Sequence, residues 1–177
     1  KLTGTFYKGT LSVTGTTDPK QDPTTFAVNG ELNGTSLLAI RKDGKWKGQN
    51  VSGTLSALVD ASGPVNDPNA IRGTASFIMK DGTLWEMNFL QGIFKALLIP
   101  ELGTVSFTDA SGSFTIRDGK LQTNDLFFKG SLANLMGRGW IDFKGKLNLD
   151  VVPKLKQIDV AQSDSLRKGP TAFLANT

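Results

Sequence analysis

Residues 137–152 read GRGWIDFKGKLNLDVV, and from Ile141 onward apolar side chains alternate with charged or amide side chains. The apolar residues keep one parity as far as Val151, interrupted only by Gly145. Successive side chains of a strand point to opposite faces of a sheet, so the alternation predicts one apolar face and one polar face. We therefore predict a single strand over residues 139–151, roughly twice the usual length of 5–6 residues.

A basic-Asp-Gly tripeptide occurs three times and indicates repeated hairpins. It occupies residues 42–44, 80–82 and 117–119. Asp-Gly between two alternating segments is the strongest local signal of a type I′ turn, because that turn requires positive φ at both central residues. The predicted strands cover residues 3–14, 24–32, 35–42, 51–62, 71–80, 111–117, 120–129 and 139–151.

A second motif, aromatic-Lys-Gly-x-Leu, recurs at residues 7–11, 128–132 and 143–147. Glycine inside a strand commonly marks a bulge or a bend. The motif therefore predicts three places where a strand bends without ending.

Composition excludes several classes of chemistry. The chain of 177 residues has no cysteine and no histidine, so thiolate or imidazole metal sites, cysteine nucleophiles and histidine-based triads are excluded. Ser113 and Ser131 have no histidine to activate them, and the turn aspartates are explained by turn geometry. The net charge of +4 is dispersed along the sequence, which does not predict a nucleic-acid partner. We expect no enzyme activity, no catalytic residues, no cofactor and no metal site.

One segment has helical periodicity. Residues 85–98 read WEMNFLQGIFKALL, with a wide apolar stripe, and Pro100 ends the pattern. This predicted helix either covers one end of the sheet or presents Trp85, Phe89 and Phe94 to a membrane or a partner groove. Residues 154–177 show no strand alternation and are predicted to form a loop with one short helix.

The predicted helix is too small to cover the apolar faces of about eight strands. The sheet must therefore close into a barrel, stack as a sandwich, or stay open as a groove whose apolar floor contacts a ligand. We predict a mainly β protein, with a long, twisted and curved antiparallel sheet, as a groove or partly open barrel, and one short amphipathic helix. It forms a single domain over residues 1–177. The side chains predicted to line the groove are Phe77, Met79, Phe114, Ile116, Ile141, Phe143, Leu147 and Leu149.

An ordered set of motifs over residues 53–155 resembles the C-terminal domain of the AsmA-like family of bacterial envelope proteins. The order comprises GTLSALVDASG from Gly53, a strand ending in Asp81-Gly82 followed by the predicted helix, a strand ending in Asp118-Gly119, and GRGWID from Gly137. The resemblance implies a groove-like sheet of a bridge-like lipid-transfer protein in the periplasm, which contributes to outer-membrane biogenesis. It also implies that this chain is a fragment of a longer protein anchored in the inner membrane.

Two functions remain open from the sequence. The first is a non-catalytic lipid-binding or lipid-transfer module of the bacterial envelope, with phospholipid or another acyl-chain lipid as its partner. The second is a structural or adaptor module that binds envelope proteins through its sheet edges. A membrane surface is a further expected partner.

Overall fold

The computed structural model describes residues 1–43, 51–84, 107–131 and 133–156, and these residues form one open antiparallel sheet. The nine strands follow one another in chain order across the sheet, so each pairs with its sequence neighbours and the first and last strands form the edges. The elements are β1 (Leu2–Phe6), β2 (Gly9–Asp18), β3 (Thr25–Ser36), α1 (Leu37–Asp43), β4 (Val51–Pro64), a 3₁₀ turn (Pro68–Ala70), β5 (Arg72–Leu84), β6 (Phe107–Arg117), β7 (Lys120–Gly130), β8 (Ala133–Asp142) and β9 (Leu147–Leu155).

The fold class is confirmed: the protein is mainly β, its antiparallel sheet is open, and the described part of the chain contains one short α-helix. The sheet is not closed into a barrel. The predicted helix over residues 85–98, with Trp85, Phe89 and Phe94, lies outside the described residues, as does the chain beyond Lys156. Residues 154–155, predicted to lie in a loop, end β9.

The hairpin turn predicted at Asp118-Gly119 is confirmed, because these two residues join β6 to β7. Arg117 pairs with Lys120 across the turn, and the φ angles of Asp118 and Gly119 are 52° and 68°. Both are positive, as a type I′ hairpin requires.

The prediction of a hairpin turn at Asp81-Gly82 is wrong, because β5 continues through both residues to Leu84. The β4–β5 register shifts between Ser52 and Thr54, so Asp81 and Gly82 form part of a bulge. A Cβ atom added to Gly53 would lie 2.7 Å from the Cα of Gly82, so the two chains approach more closely here than a side chain allows. Gly44, in the first copy of the tripeptide, lies outside the described residues.

The predicted single strand over residues 139–151 is also wrong, because the chain reverses after Asp142. The Asp142 carboxylate accepts backbone N–H bonds from Lys144 at 3.0 Å and Lys146 at 2.7 Å, and Gly145 has a φ of 87°. Ile141 then pairs directly with Leu147. The apolar parity therefore continues across the turn, and alternation alone cannot distinguish a hairpin from one long strand.

Two further segments differ from the prediction. Residues 3–14 form two strands, because Tyr7 and Lys8 adopt φ angles of 45° and 70° and reverse the chain. The predicted strand over residues 35–42 is mostly helix α1, in which the Ser36 hydroxyl accepts the N–H of Ala39 at 3.3 Å as an N-terminal cap.

The aromatic-Lys-Gly motif marks strand ends instead of bends within strands. Its first copy contains the β1–β2 turn, its second reaches the end of β7 at Gly130, and its third forms the β8–β9 turn. Glycine follows the turn in the first copy and provides a positive φ in the third. The predicted bends are therefore wrong, although each motif does mark a change in backbone direction or pairing.

Candidate functional site: an apolar inner face

One face of the sheet is apolar across all nine strands, and we call it the inner face. Directly paired residues share a face, so the register defines its rows. One row runs from β3 to β9 through Val28, Ala61, Gly73, Ile116, Leu121, Ile141 and Leu147. Within the paired strands that the structure describes, the inner face carries apolar residues, glycine and threonine, and no charged side chain.

A bulge in β7 keeps this face apolar along the strand. Leu121 and Thr123 face inward before the bulge, whereas Leu126 and Phe128 face inward after it, so the parity changes between them. Asp125, in the bulge, accepts the N–H of Ser113 at 2.8 Å and the hydroxyl of Ser113 at 2.6 Å. Its carboxylate also accepts the Thr123 hydroxyl at 3.1 Å, so this inner-face hydroxyl has a partner.

The same hydrogen bonds affect the ionisation of Asp125. The Ser113 hydroxyl, followed by the Ser113 backbone N–H, holds the pKa of Asp125 below its ordinary value of 3.8. Because both donors favour the charged carboxylate, the bulge is best formed when Asp125 is ionised.

The closed end of the inner face is a packed core. We use this name for Val51, Met79, Phe107, Phe128, Ala133 and Leu135, whose side chains are buried. Phe107 and Leu135 have no exposed surface, and the Phe107 and Phe128 rings meet edge to face at 6.0 Å between centroids. This packing provides much of the stability of the fold.

The open corner of the inner face lies on β8 and β9. We use this name for Ile141, Leu147 and Leu149, which pack less tightly than the closed end. Ile141 is 37% exposed and Leu147 is 47% exposed, although both belong to the same apolar face as the buried residues. Exposed apolar side chains that form a continuous surface are typical of binding sites.

Between the two ends lies a cavity of about 470 Å³. This volume falls within the range of about 300 to 1,000 Å³ that is usual for small-molecule sites. Phe77 and Phe114 border this cavity, and their rings are stacked at 6.1 Å between centroids. The residues that border the cavity are Leu37, Val51, Leu55, Ala57, Phe77, Met79, Ala110, Phe114, Leu121, Thr123, Leu126, Phe128, Trp140, Ile141, Leu147 and Leu149.

A second cavity of about 400 Å³ extends the same surface towards β2. It shares Ala57, Phe77, Phe114 and Leu121 with the first cavity, so the two form one continuous apolar groove. Leu11, Val13 and Leu32 lie at its far side.

Six of the eight predicted groove residues border the first cavity: Phe77, Met79, Phe114, Ile141, Leu147 and Leu149. Ile116 lies on the inner face but is buried and does not border it, and Phe143 lies in the β8–β9 turn. The prediction that Phe77 shares a face with Phe114, and Met79 with Ile116, agrees with the register, in which Phe77 pairs with Gly112 and Met79 with Ala110. Leu55, Ala57 and Leu121 were missed, although alternation in their strands could have identified them.

The opposite face also carries a cavity, of about 540 Å³. Hydroxyl, amide and carboxylate side chains border it, and several of them bind one another, as Ser113 and Asp125 do. Asn29 likewise donates to Asp60 at 3.4 Å. These groups stabilise the outer surface of the sheet, so the apolar groove is the stronger candidate site.

Comparison with known proteins gives no relative: no family model, no curated protein and no solved structure matches this chain. In the described ranges, acidic side chains form no group of three or more that could hold a metal ion. None of the helices in these ranges has the length and apolar character that crossing a bilayer requires.

Proposed function

We propose that this protein is a non-catalytic lipid-binding module that holds acyl chains along the inner face. The observation that carries the proposal is the continuous apolar groove, which runs from the closed end to the open corner. A hydrocarbon chain gains about 0.8 kcal/mol for each CH₂ group that it buries. The uncharged inner face can supply this gain without desolvating a fixed charge.

The biological setting belongs to the same proposal and depends on the resemblance of residues 53–155 to the AsmA-like family. It places the protein in the bacterial periplasm, as part of a longer chain anchored in the inner membrane. Phospholipid is then the natural ligand, and lipid transfer towards the outer membrane is the natural role. The open sheet and its apolar face support this assignment by fitting the groove that the resemblance implies.

The test is saturable binding of a fluorescent fatty acid to the delipidated protein. The double variant Ile141→Ser/Leu147→Ser removes apolar contacts at the open corner, so we expect its affinity to fall about tenfold. The matched control is Met136→Ser/Val152→Ser, since these side chains are 55% and 60% exposed on the outer face. The control should bind as the wild type does.

Two results would contradict the proposal. One is the absence of saturable binding by the wild-type protein, together with the absence of co-purified lipid in its organic extract. The other is an equal loss of affinity in the inner-face and outer-face variants, which would show that binding is not specific to the groove.

One observation favours the alternative function as an adaptor. The edge strand β1 has five exposed residues, and its sequence LTGTF contains neither a charged residue nor proline. Edge strands without such residues readily pair with strands of other chains. A stable complex through this edge, formed by a protein that binds no lipid, would favour the adaptor function.

A further inference from the structure

The β8–β9 turn lies against the β6–β7 turn at one end of the sheet. The N–H of Phe143 donates to the carbonyl of Gly119 at 3.0 Å, and Lys120 pairs with Asp142 in the β7–β8 register. The two turns therefore form one surface at the open corner of the inner face. We call this surface the paired turns and define it as residues 117–120 and 142–146.

The paired turns are basic. They contain Arg117, Lys120, Lys144 and Lys146 against Asp118 and Asp142, so their formal charge is 4 − 2 = +2. The two acids are already engaged: Asp118 forms ion pairs with Arg72 at 2.9 Å and Arg117 at 3.3 Å. Asp142 accepts the backbone N–H groups of Lys144 and Lys146. Both lysine side chains are exposed, so their charges face the solvent.

The paired turns also expose apolar surface beside these charges. Phe143 is 44% exposed within the turn, and Ile141 and Leu147, immediately before and after the turn, are 37% and 47% exposed. An aromatic side chain close in sequence to two exposed lysines, next to exposed aliphatic side chains, suits the interface of a bilayer with an anionic surface. Phe143 borders neither cavity of the groove, so its exposed ring is available for another contact.

We propose that the paired turns bind the surface of an anionic lipid bilayer. Phe143 enters the interfacial region, while Lys144 and Lys146 attract the anionic headgroups. The charge complementarity selects an anionic bilayer, because a neutral surface would leave the lysines without a partner. Phe143, Lys144 and Lys146, on which this inference rests, do not border the groove, so the inference does not depend on what the groove contains.

The test is flotation of the whole chain with vesicles, either of equal parts phosphatidylglycerol and phosphatidylcholine or of phosphatidylcholine alone. We expect binding to the anionic vesicles at least tenfold stronger than to the neutral ones, and weaker binding at high salt. Lys144→Gln/Lys146→Gln should lower binding to the anionic vesicles about tenfold, because it removes two exposed positive charges. Phe143→Ser should lower it severalfold without changing its dependence on salt.

Matched controls distinguish binding through the paired turns from binding through any exposed lysine or apolar side chain. Lys80→Gln/Lys154→Gln removes two exposed lysines at the opposite end of the strands, and Met136→Ser removes an exposed apolar side chain from the outer face. Both should bind as the wild type does. Equal binding to the two kinds of vesicle, or equal losses in controls and paired-turn variants, would overturn the inference. Fatty-acid binding in solution should be unchanged in Phe143→Ser, so failure here is distinguishable from failure of the proposed function.

Discussion

The closed end and the open corner belong to the same apolar face, yet their side chains differ in exposure. Phe107 and Leu135 have no exposed surface, whereas Ile141 and Leu147 are 37% and 47% exposed. All four are large apolar residues of the same sheet, on β6, β8 and β9. The difference indicates that one face can form a packed core in one part and an exposed apolar surface, suited to binding, in another.

The largest expected effect is a difference in the stability lost when a side chain is truncated at the closed end or at the open corner. Phe107→Ala at the closed end should lower the free energy of unfolding by about 3–5 kcal/mol, because it leaves a cavity in a packed core. Ile141→Ala at the open corner should lower it by about 1 kcal/mol, since its side chain is already partly in water. Urea denaturation followed by circular dichroism measures both values. Similar losses in the two variants would show that the open corner is also a core.

A smaller loss of stability is expected from changing Asp125, which lies in the bulge of β7. Asp125→Ala removes the carboxylate that binds Ser113 and Thr123, and should lower the free energy of unfolding by about 1 kcal/mol after solvent screening. Asp125→Asn, which keeps the shape but not the charge, should be intermediate. The matched control is Asp150→Asn in the exposed ion pair with Arg138, where a smaller change is expected.

The stabilisation by the Asp125 carboxylate should depend on pH, and the direction of its pKa shift gives the sign of this dependence. The folded-state pKa of Asp125 lies below its ordinary value of 3.8, so the stabilisation is fully present above that pH. It is lost as the pH falls below 3.8 and through the folded pKa. The stability difference between wild type and Asp125→Asn should therefore shrink in acid, as measured by urea denaturation at pH 6 and pH 3. A difference that grows in acid would contradict this assignment.

The sequence predicted the faces of the sheet better than the ends of its strands. Phe77 and Phe114 share a face as predicted, because the period of two persists wherever pairing is regular. The turn at Tyr7 and Lys8 was missed because neither residue type signals positive φ. Asp81-Gly82 resembled Asp118-Gly119 locally, but longer-range pairing with β4 incorporates it into a bulge.

The groove itself could be predicted only in part. Alternation identifies which residues are apolar and inward, but it cannot tell Leu135, which is buried, from Leu147, which is exposed. That distinction depends on tertiary packing. Leu126 and Phe128 were not predicted because the bulge at Asp125 shifts the parity of β7 away from that of Leu121.

The most direct measurement of the central claim is photocrosslinking of the wild-type protein with a palmitate analogue that carries a diazirine in its chain, followed by peptide mass spectrometry. Acyl chains held in the groove should label the inner face around Phe77, Phe114, Ile141 and Leu149, and unlabelled palmitate should compete for these sites. Competable labelling confined to the outer face, at Ile78, Met136 or Val152, would contradict the account.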